Sequence, residues 1–226
     1  MKKTKSTTSF VCQECGYDSP QWLGKCPECG SWNSLKEFKT TKASGSSTRK
    51  ENIQGSTVPP KTLGEINIEE IKRIETGFGE MDTVVGGGIV PGSVTLLAGD
   101  PGIGKSTLLL QLALNISEQG NKVLYISGEE SVEQIKLRAS RLTNNFYNKN
   151  FLLIALVDAD RAVEIIEQEK PSFVVIDSIQ TMESQALDGL SGSVGQVRYA
   201  TTQYIRIAKR LHIPIVLVGH VTKEGM

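Results

Sequence analysis

The chain has 226 residues, 38% of them hydrophobic and 22% charged, with 25 Lys and Arg balanced by 25 Asp and Glu. This is the composition of a soluble globular protein, long enough for one large domain and a small module. No apolar run approaches the roughly 18 residues of a membrane span. The basic start Lys2-Lys3-Thr4-Lys5 runs into Ser and Thr instead of an apolar stretch, so no signal peptide is expected there, and a cytoplasmic location with no membrane partner is expected. The balanced charge conceals an asymmetry: residues 1–50 hold nine Lys/Arg against four Asp/Glu, a weak pointer to a polyanionic partner.

All four cysteines fall within residues 12–29, as Cys12-Gln13-Glu14-Cys15-Gly16 and Cys26-Pro27-Glu28-Cys29-Gly30, separated by ten residues. Each motif supplies two thiolates, and the glycine after the second Cys permits the tight turn that aims backbone N–H groups at sulfur. Two such turns make a closed tetrahedral site, so Cys12, Cys15, Cys26 and Cys29 are candidate ligands of a structural Zn²⁺. A redox pair is the competing reading, disfavoured because this segment is too short to build its own apolar core. Trp22 and Trp32 flank the second motif; either could stack on a base or cover the metal, and cover is the preferred reading. The zinc-ribbon-like module occupies residues 1–38. Residues 39–65 follow as a flexible linker, rich in Lys, Thr, Ser and Gly up to Pro59-Pro60.

The remainder, 66–226, alternates apolar runs with helical patterns. Thr76-Gly77-Phe78-Gly79 leads to Gly86-Gly87-Gly88, where three glycines mark a close approach of backbones. Residues 94–98 suit a buried strand, Gly99-Asp100-Pro101-Gly102-Ile103-Gly104-Lys105-Ser106 fits G-x-x-x-x-G-K-[ST], and the Leu-rich stretch 107–115 favours a helix. Strand, loop and helix together form a phosphate-binding loop. Its glycines turn N–H groups toward phosphate, the helix presents its positive end, Lys105 can bridge β- and γ-phosphates, and the Ser106 hydroxyl can ligate Mg²⁺. The candidate ATP-binding residues are Gly99 to Thr107. A purely structural Gly-rich turn would not require Lys-Ser after its last glycine.

Further strands are expected at 122–127, 151–155 and 213–218, and helices at 132–142, 158–168 and 194–211. Phe173-Val174-Val175-Ile176-Asp177 has the form of a Walker B strand, four apolar residues ending in a carboxylate. At the carboxyl end of a parallel strand Asp177 would face the phosphate loop and hold Mg²⁺; an Asp that merely begins a turn is the plainer alternative. The order βαβαβαβαβ predicts a mainly parallel α/β sheet.

These residues resemble the amino-terminal half of the bacterial RadA (Sms) family, RecA-like ATPases of recombination and repair. The likeness rests on the paired C-x-x-C-G motifs, Gly86 through Gly92, Gly99 through Thr107, Ile126-Ser127-Gly128-Glu129-Glu130-Ser131, Asp177-Ser178-Ile179-Gln180-Thr181 and Gly219-His220-Val221-Thr222-Lys223. It implies a RecA-like P-loop core and a DNA-dependent ATPase that binds ATP or ADP and single-stranded or branched DNA. It further implies branch migration by a homo-hexameric ring, with a recombinase or replicative helicase as partner. By motif position Glu129 is the water-activating carboxylate, with Glu130 as fallback. His220 is the γ-phosphate sensor, or else an ordinary strand-end histidine, and 182–193 corresponds to the first DNA-binding loop. The family continues beyond the position of Met226 with a second DNA-contacting loop and a Lon-protease-like domain, so hydrolysis by residues 1–226 alone is expected to be weak. Two other readings compete: a zinc-dependent, partner-recruiting nucleotide switch, and a signalling ATPase on the same core, which would not need the Cys₄ module.

Overall fold

The computed structural model describes residues 8–14, 16–39, 61–66, 72–145, 147–187 and 189–220. Cys15, most of the expected linker and Val221 to Met226 lie outside them.

The amino-terminal module is a three-stranded antiparallel sheet of β1 (Thr8–Cys12), β2 (Asp18–Ser19) and β3 (Leu35–Lys39), in the order β2-β1-β3. Cys12, Cys26 and Leu35 are buried at its centre, with Phe10, Tyr17 and Leu23 packed against them. The tryptophans do not supply this cover: Trp22 is 54% and Trp32 72% exposed, and Trp32 carries the Lys25 ammonium over its ring at 5.5 Å. Phe10, Tyr17 and Leu23 pack against the buried Cys12 and Cys26 instead, and Cys29 is itself exposed.

In the second part, α1 (Gly79–Val84) precedes the glycine triplet. The close approach expected there is observed: Ile74 and Ile89 exchange backbone hydrogen bonds of 2.9 and 2.8 Å. A Cβ on Gly88, at φ +111°, would come within 2.9 Å of the Ile74 carbonyl oxygen.

The main sheet comprises β4 (Val94–Gly99), β5 (Val123–Ser127), β6 (Phe151–Ala155), β7 (Phe173–Asp177) and β8 (Ile215–His220). Its order is β4-β8-β7-β5-β6, and every neighbouring pair is parallel. The crossovers are α2 (Lys105–Glu118), α3 (Val132–Ala139), α4 (Ala159–Glu169) and α5 (Val194–Leu211). Both faces are covered, which explains why the central strands are continuous apolar runs. Val174 and Ile176 pack with α4 and α5, whereas Phe173 and Val175 pack with α2 and α3. Each wholly buried leucine of α2, such as Leu110, contributes about 1.5–3 kcal/mol relative to exposure.

Local signals set most boundaries. Asp158 caps α4, its carboxylate accepting from Asp160 and Arg161 N–H at 2.9 Å each, and Ser131 with Gln134 forms a capping box on α3. His212 ends α5 in the left-handed region at φ 54°, and Ile213 still bonds back to Ala208. With Pro214 next, β8 begins at Ile215, two residues later than expected. β4 is an edge strand, with Thr95 and Leu96 exposed.

Residues 182–193, expected as a polar loop, are half anchored. Met182 and Ser184 are buried, the Gln196 amide bonds Ser184 N–H and carbonyl at 2.8 and 3.1 Å, and Ser184 Oγ donates to Asp160. Gln185, Ala186 and the far end are exposed, with Leu190 85% exposed. That end meets the amino-terminal module: Arg198 Nη1 donates to Gly16 O at 2.9 Å, and the Gln13 amide lies beside Gly189 and Gly195. No helix among the described residues is long and apolar enough to cross a membrane.

Candidate functional site

Parallel pairing brings four strand ends to one edge of the sheet. Gly99 on β4 is in register with His220 on β8, and Ser127 on β5 with Asp177 on β7. Loops leaving these ends surround one crevice, the place where open parallel sheets bind ligands.

From Gly99 the chain turns through Gly102 (φ +79°) and Gly104 (φ +101°) into α2. Nothing lies within 4 Å of the position a Cβ would take on either glycine, so the demand there is for the left-handed conformation and not for space. Pro101 and Ile103 are exposed, Ser106 and Thr107 occupy the first turn of α2, and Lys105 is buried. Lys105 Nζ donates to the carbonyl oxygens of Gly99 and Asp100 at 2.8 Å each and lies 3.2 Å from His220 Nδ1.

His220 connects the phosphate loop to Glu129. An ammonium has only donors, so in this contact Nδ1 is the acceptor. Nε2 faces Glu129 Oε1 at 3.4 Å, and Ser178 Oγ donates to the same oxygen. Glu130 is engaged elsewhere, 2.5 Å from Arg138 on α3. The geometry thus separates the two adjacent carboxylates: Glu129 joins Lys105, Ser178 and His220, and Glu130 does not. Gly128 permits this, because a Cβ there would collide with Thr181 Oγ1.

Asp177 is 4% exposed, yet among the described residues it has no cationic partner; its side chain accepts one hydrogen bond, from Tyr125 OH at 2.6 Å. A buried anion without a counter-charge is costly, and the Ser106 hydroxyl has no hydrogen-bond partner among the described residues. These oxygen donors fit a hard cation such as Mg²⁺.

In the amino-terminal module the Sγ atoms of Cys12, Cys26 and Cys29 lie within 4.8 Å of one another, and Cys12 and Cys29 are 3.6 Å apart. That separation is far longer than an S–S bond of about 2.05 Å. It is close to the roughly 3.8 Å that tetrahedral Zn–S bonds of about 2.3 Å impose. The three thiols therefore fit a shared metal; Cys15 lies outside the described residues.

Comparison with known proteins agrees with both parts. Residues 60–226 match the family described as "AAA domain". The chain belongs to this AAA domain family. Ahead of the AAA domain, residues 10–37 match the rubredoxin metal binding domain. The chain is similar to the DNA repair protein RadA of Bacillus subtilis, 48% identical over 226 residues and covering 100% of this chain and 48% of that protein. The RadA proteins of Aquifex aeolicus (49% over 222 residues, 98% and 48% covered) and of Streptococcus pyogenes serotype M1 (45% over 231 residues, 100% and 48%) are also similar. The chain thus spans about half the length of the curated relatives it matches.

Sequence reasoning singled out Lys105, Glu129, Asp177 and His220 but missed Ser178 and Tyr125. A signal for Tyr125 existed, since a tyrosine in an otherwise apolar buried strand needs a partner for its hydroxyl.

Proposed function

We propose that this chain is the nucleotide-binding part of a DNA-dependent ATPase of homologous recombination and repair, one that processes branched intermediates. The observation that carries the proposal is the meeting of Lys105, Glu129 and His220 at the mouth of the phosphate loop. Similarity to proteins named DNA repair protein RadA supports the biological setting. In this reading residues Gly99 to Thr107 cradle the phosphates. Lys105 exchanges its carbonyl partners for β- and γ-phosphate oxygens, and Ser106 and Asp177 hold Mg²⁺. When bound, that cation would neutralise phosphate charge. Glu129 orients and deprotonates the attacking water, with Ser178 fixing its carboxylate, and His220 reports the arrival of the γ-phosphate to Glu129. The loop tip around Leu190 faces single-stranded or branched DNA, and the active form is a cytoplasmic homo-hexamer.

The chain divides in this reading into a ribbon at 1–38, a linker at 39–65 and the ATPase core at 66–226. Zn²⁺ is held by Cys12, Cys15, Cys26 and Cys29 and supplies the ribbon's folding energy. The outward Trp22 and Trp32 favour a second reading, in which the ribbon recruits a partner protein and the nucleotide acts only as a switch. ATP turnover by the full-length protein with and without single-stranded DNA tests the proposal. Stimulation by DNA is expected; turnover indifferent to DNA selects the switch.

A further inference from the structure

Tyr125 is wholly buried in β5, two residues before the strand's carboxyl end, and its ring stacks on Phe151 with centroids 6.3 Å apart and planes at 27°. Its hydroxyl crosses to the neighbouring strand and donates to Asp177 Oδ2 at 2.6 Å. Tyr125 lies opposite Val175 and Ser127 opposite Asp177, so this is a diagonal cross-strand contact, within reach only of a long side chain. Burial, followed by the nearby charge of Asp177, raises the phenol above its ordinary range and keeps it a donor.

A carboxylate with one oxygen tied to a rigid phenol cannot spin about its terminal torsion, which is otherwise broad. One oxygen is thereby left for a cation or its water shell. We infer that Tyr125 is a positioning residue of the nucleotide site: it orients Asp177 so that the free carboxylate oxygen faces the divalent cation that accompanies the nucleotide. Tyr125 itself touches neither nucleotide nor metal. The inference rests on the assignment of Asp177 to the cation, and it explains why a tyrosine interrupts the apolar run Val123-Leu124-Tyr125-Ile126.

The test is a magnesium titration of ADP binding by residues 1–226, comparing wild type, Tyr125→Phe and Asp177→Asn, with binding in EDTA as the reference. Tyr125→Phe keeps the ring and removes only the hydroxyl. Loss of an outer partner of a metal ligand weakens metal affinity by about 10- to 100-fold. The magnesium midpoint of Tyr125→Phe should therefore rise by about tenfold or more, while ADP affinity in EDTA stays within about twofold of wild type. A merely structural role would lower melting temperature without moving that midpoint, and this result overturns the inference. An Asp177→Asn variant with unchanged magnesium dependence removes the assignment of Asp177 and the inference with it. Should Tyr125→Phe fail to fold, fluorotyrosine at position 125 gives a second readout. Its fluorine resonance should move on adding Mg²⁺ to the ADP complex, and a resonance that does not respond to Mg²⁺ contradicts the inference.

Discussion

Lys105 Nζ lies 3.2 Å from His220 Nδ1, although 115 residues separate them in the chain. The contact follows from parallel pairing, which sets Gly99 opposite His220 and so places Lys105 beside the end of a strand that arrives much later. The same imidazole reaches Glu129 on its other side, so the group that would neutralise phosphate and the group that would activate water share one neighbour.

This arrangement predicts different defects for adjacent carboxylates. Glu129→Gln should leave nucleotide binding near wild type and lower single-turnover ATP hydrolysis by about 10² to 10⁴, the usual worth of a positioned general base. Glu130→Gln, which removes the charge facing Arg138, should hydrolyse ATP within a few-fold of wild type. Reversal of the two phenotypes would transfer the role to Glu130.

The ribbon should contain one Zn²⁺ per chain, measured by elemental analysis, and Cys26→Ser should abolish it. Chelation should melt the ribbon while the five-stranded sheet stays folded, because among the described residues the ribbon's apolar cluster centres on just Cys12, Cys26 and Leu35. Since Arg198 of α5 bonds Gly16 of the ribbon and Gln13 lies beside Gly189, chelation should also speed proteolysis near Leu190. Stoichiometric iron, or no metal at all, contradicts the zinc assignment.

Tyr204 offers a stability test remote from the crevice. Its hydroxyl is buried without a hydrogen-bond partner among the described residues, and burial, with smaller effects from Asp160 and Asp158, raises its ionisation above the ordinary range. Tyr204→Phe should be neutral or stabilising by about 1–2 kcal/mol, since an unsatisfied buried group is removed. The pH dependence has a definite sign. An unfolded tyrosine ionises near pH 10, whereas the buried one stays protonated, so its contribution is fully present below about pH 10 and falls as pH rises beyond it. Urea melts should show wild type losing more stability than Tyr204→Phe between about pH 9.5 and 11; parallel curves would contradict this.

Much of this architecture was legible from periodicity and punctuation. The run Phe151–Ala155 and the helix Val194–Leu211 are observed with the expected bounds, because strong apolar patterning dominates at both. Helix α3 stops at Ala139, three residues short of expectation, where Leu142 and Thr143 bond back to Ala139 in a closing turn. Local propensity carries no information about such a closure. Motif spacing located Lys105 and Asp177, since the phosphate loop and the strand-end carboxylate are local patterns. Ser178, the partner of Tyr125 and the outward-facing tryptophans were hidden for a common reason: each depends on which strand or side chain lies alongside in space. A hydrogen bond between Tyr125 and Asp177 spans 52 positions, and no local pattern encodes it.

The central claim is that the crevice ringed by Gly99, Lys105, Asp177 and His220 binds nucleotide phosphates. The most direct test is an equilibrium titration of residues 1–226 with a fluorescent ADP analogue, with and without Mg²⁺, in wild type and Lys105→Ala. One saturable site, tightened by Mg²⁺, is expected. Lys105→Ala should weaken it by at least about tenfold, the effect of losing a charge-assisted hydrogen bond of about 1.5–3 kcal/mol. Absence of saturable binding in wild type, or binding indifferent to Lys105→Ala, would contradict it.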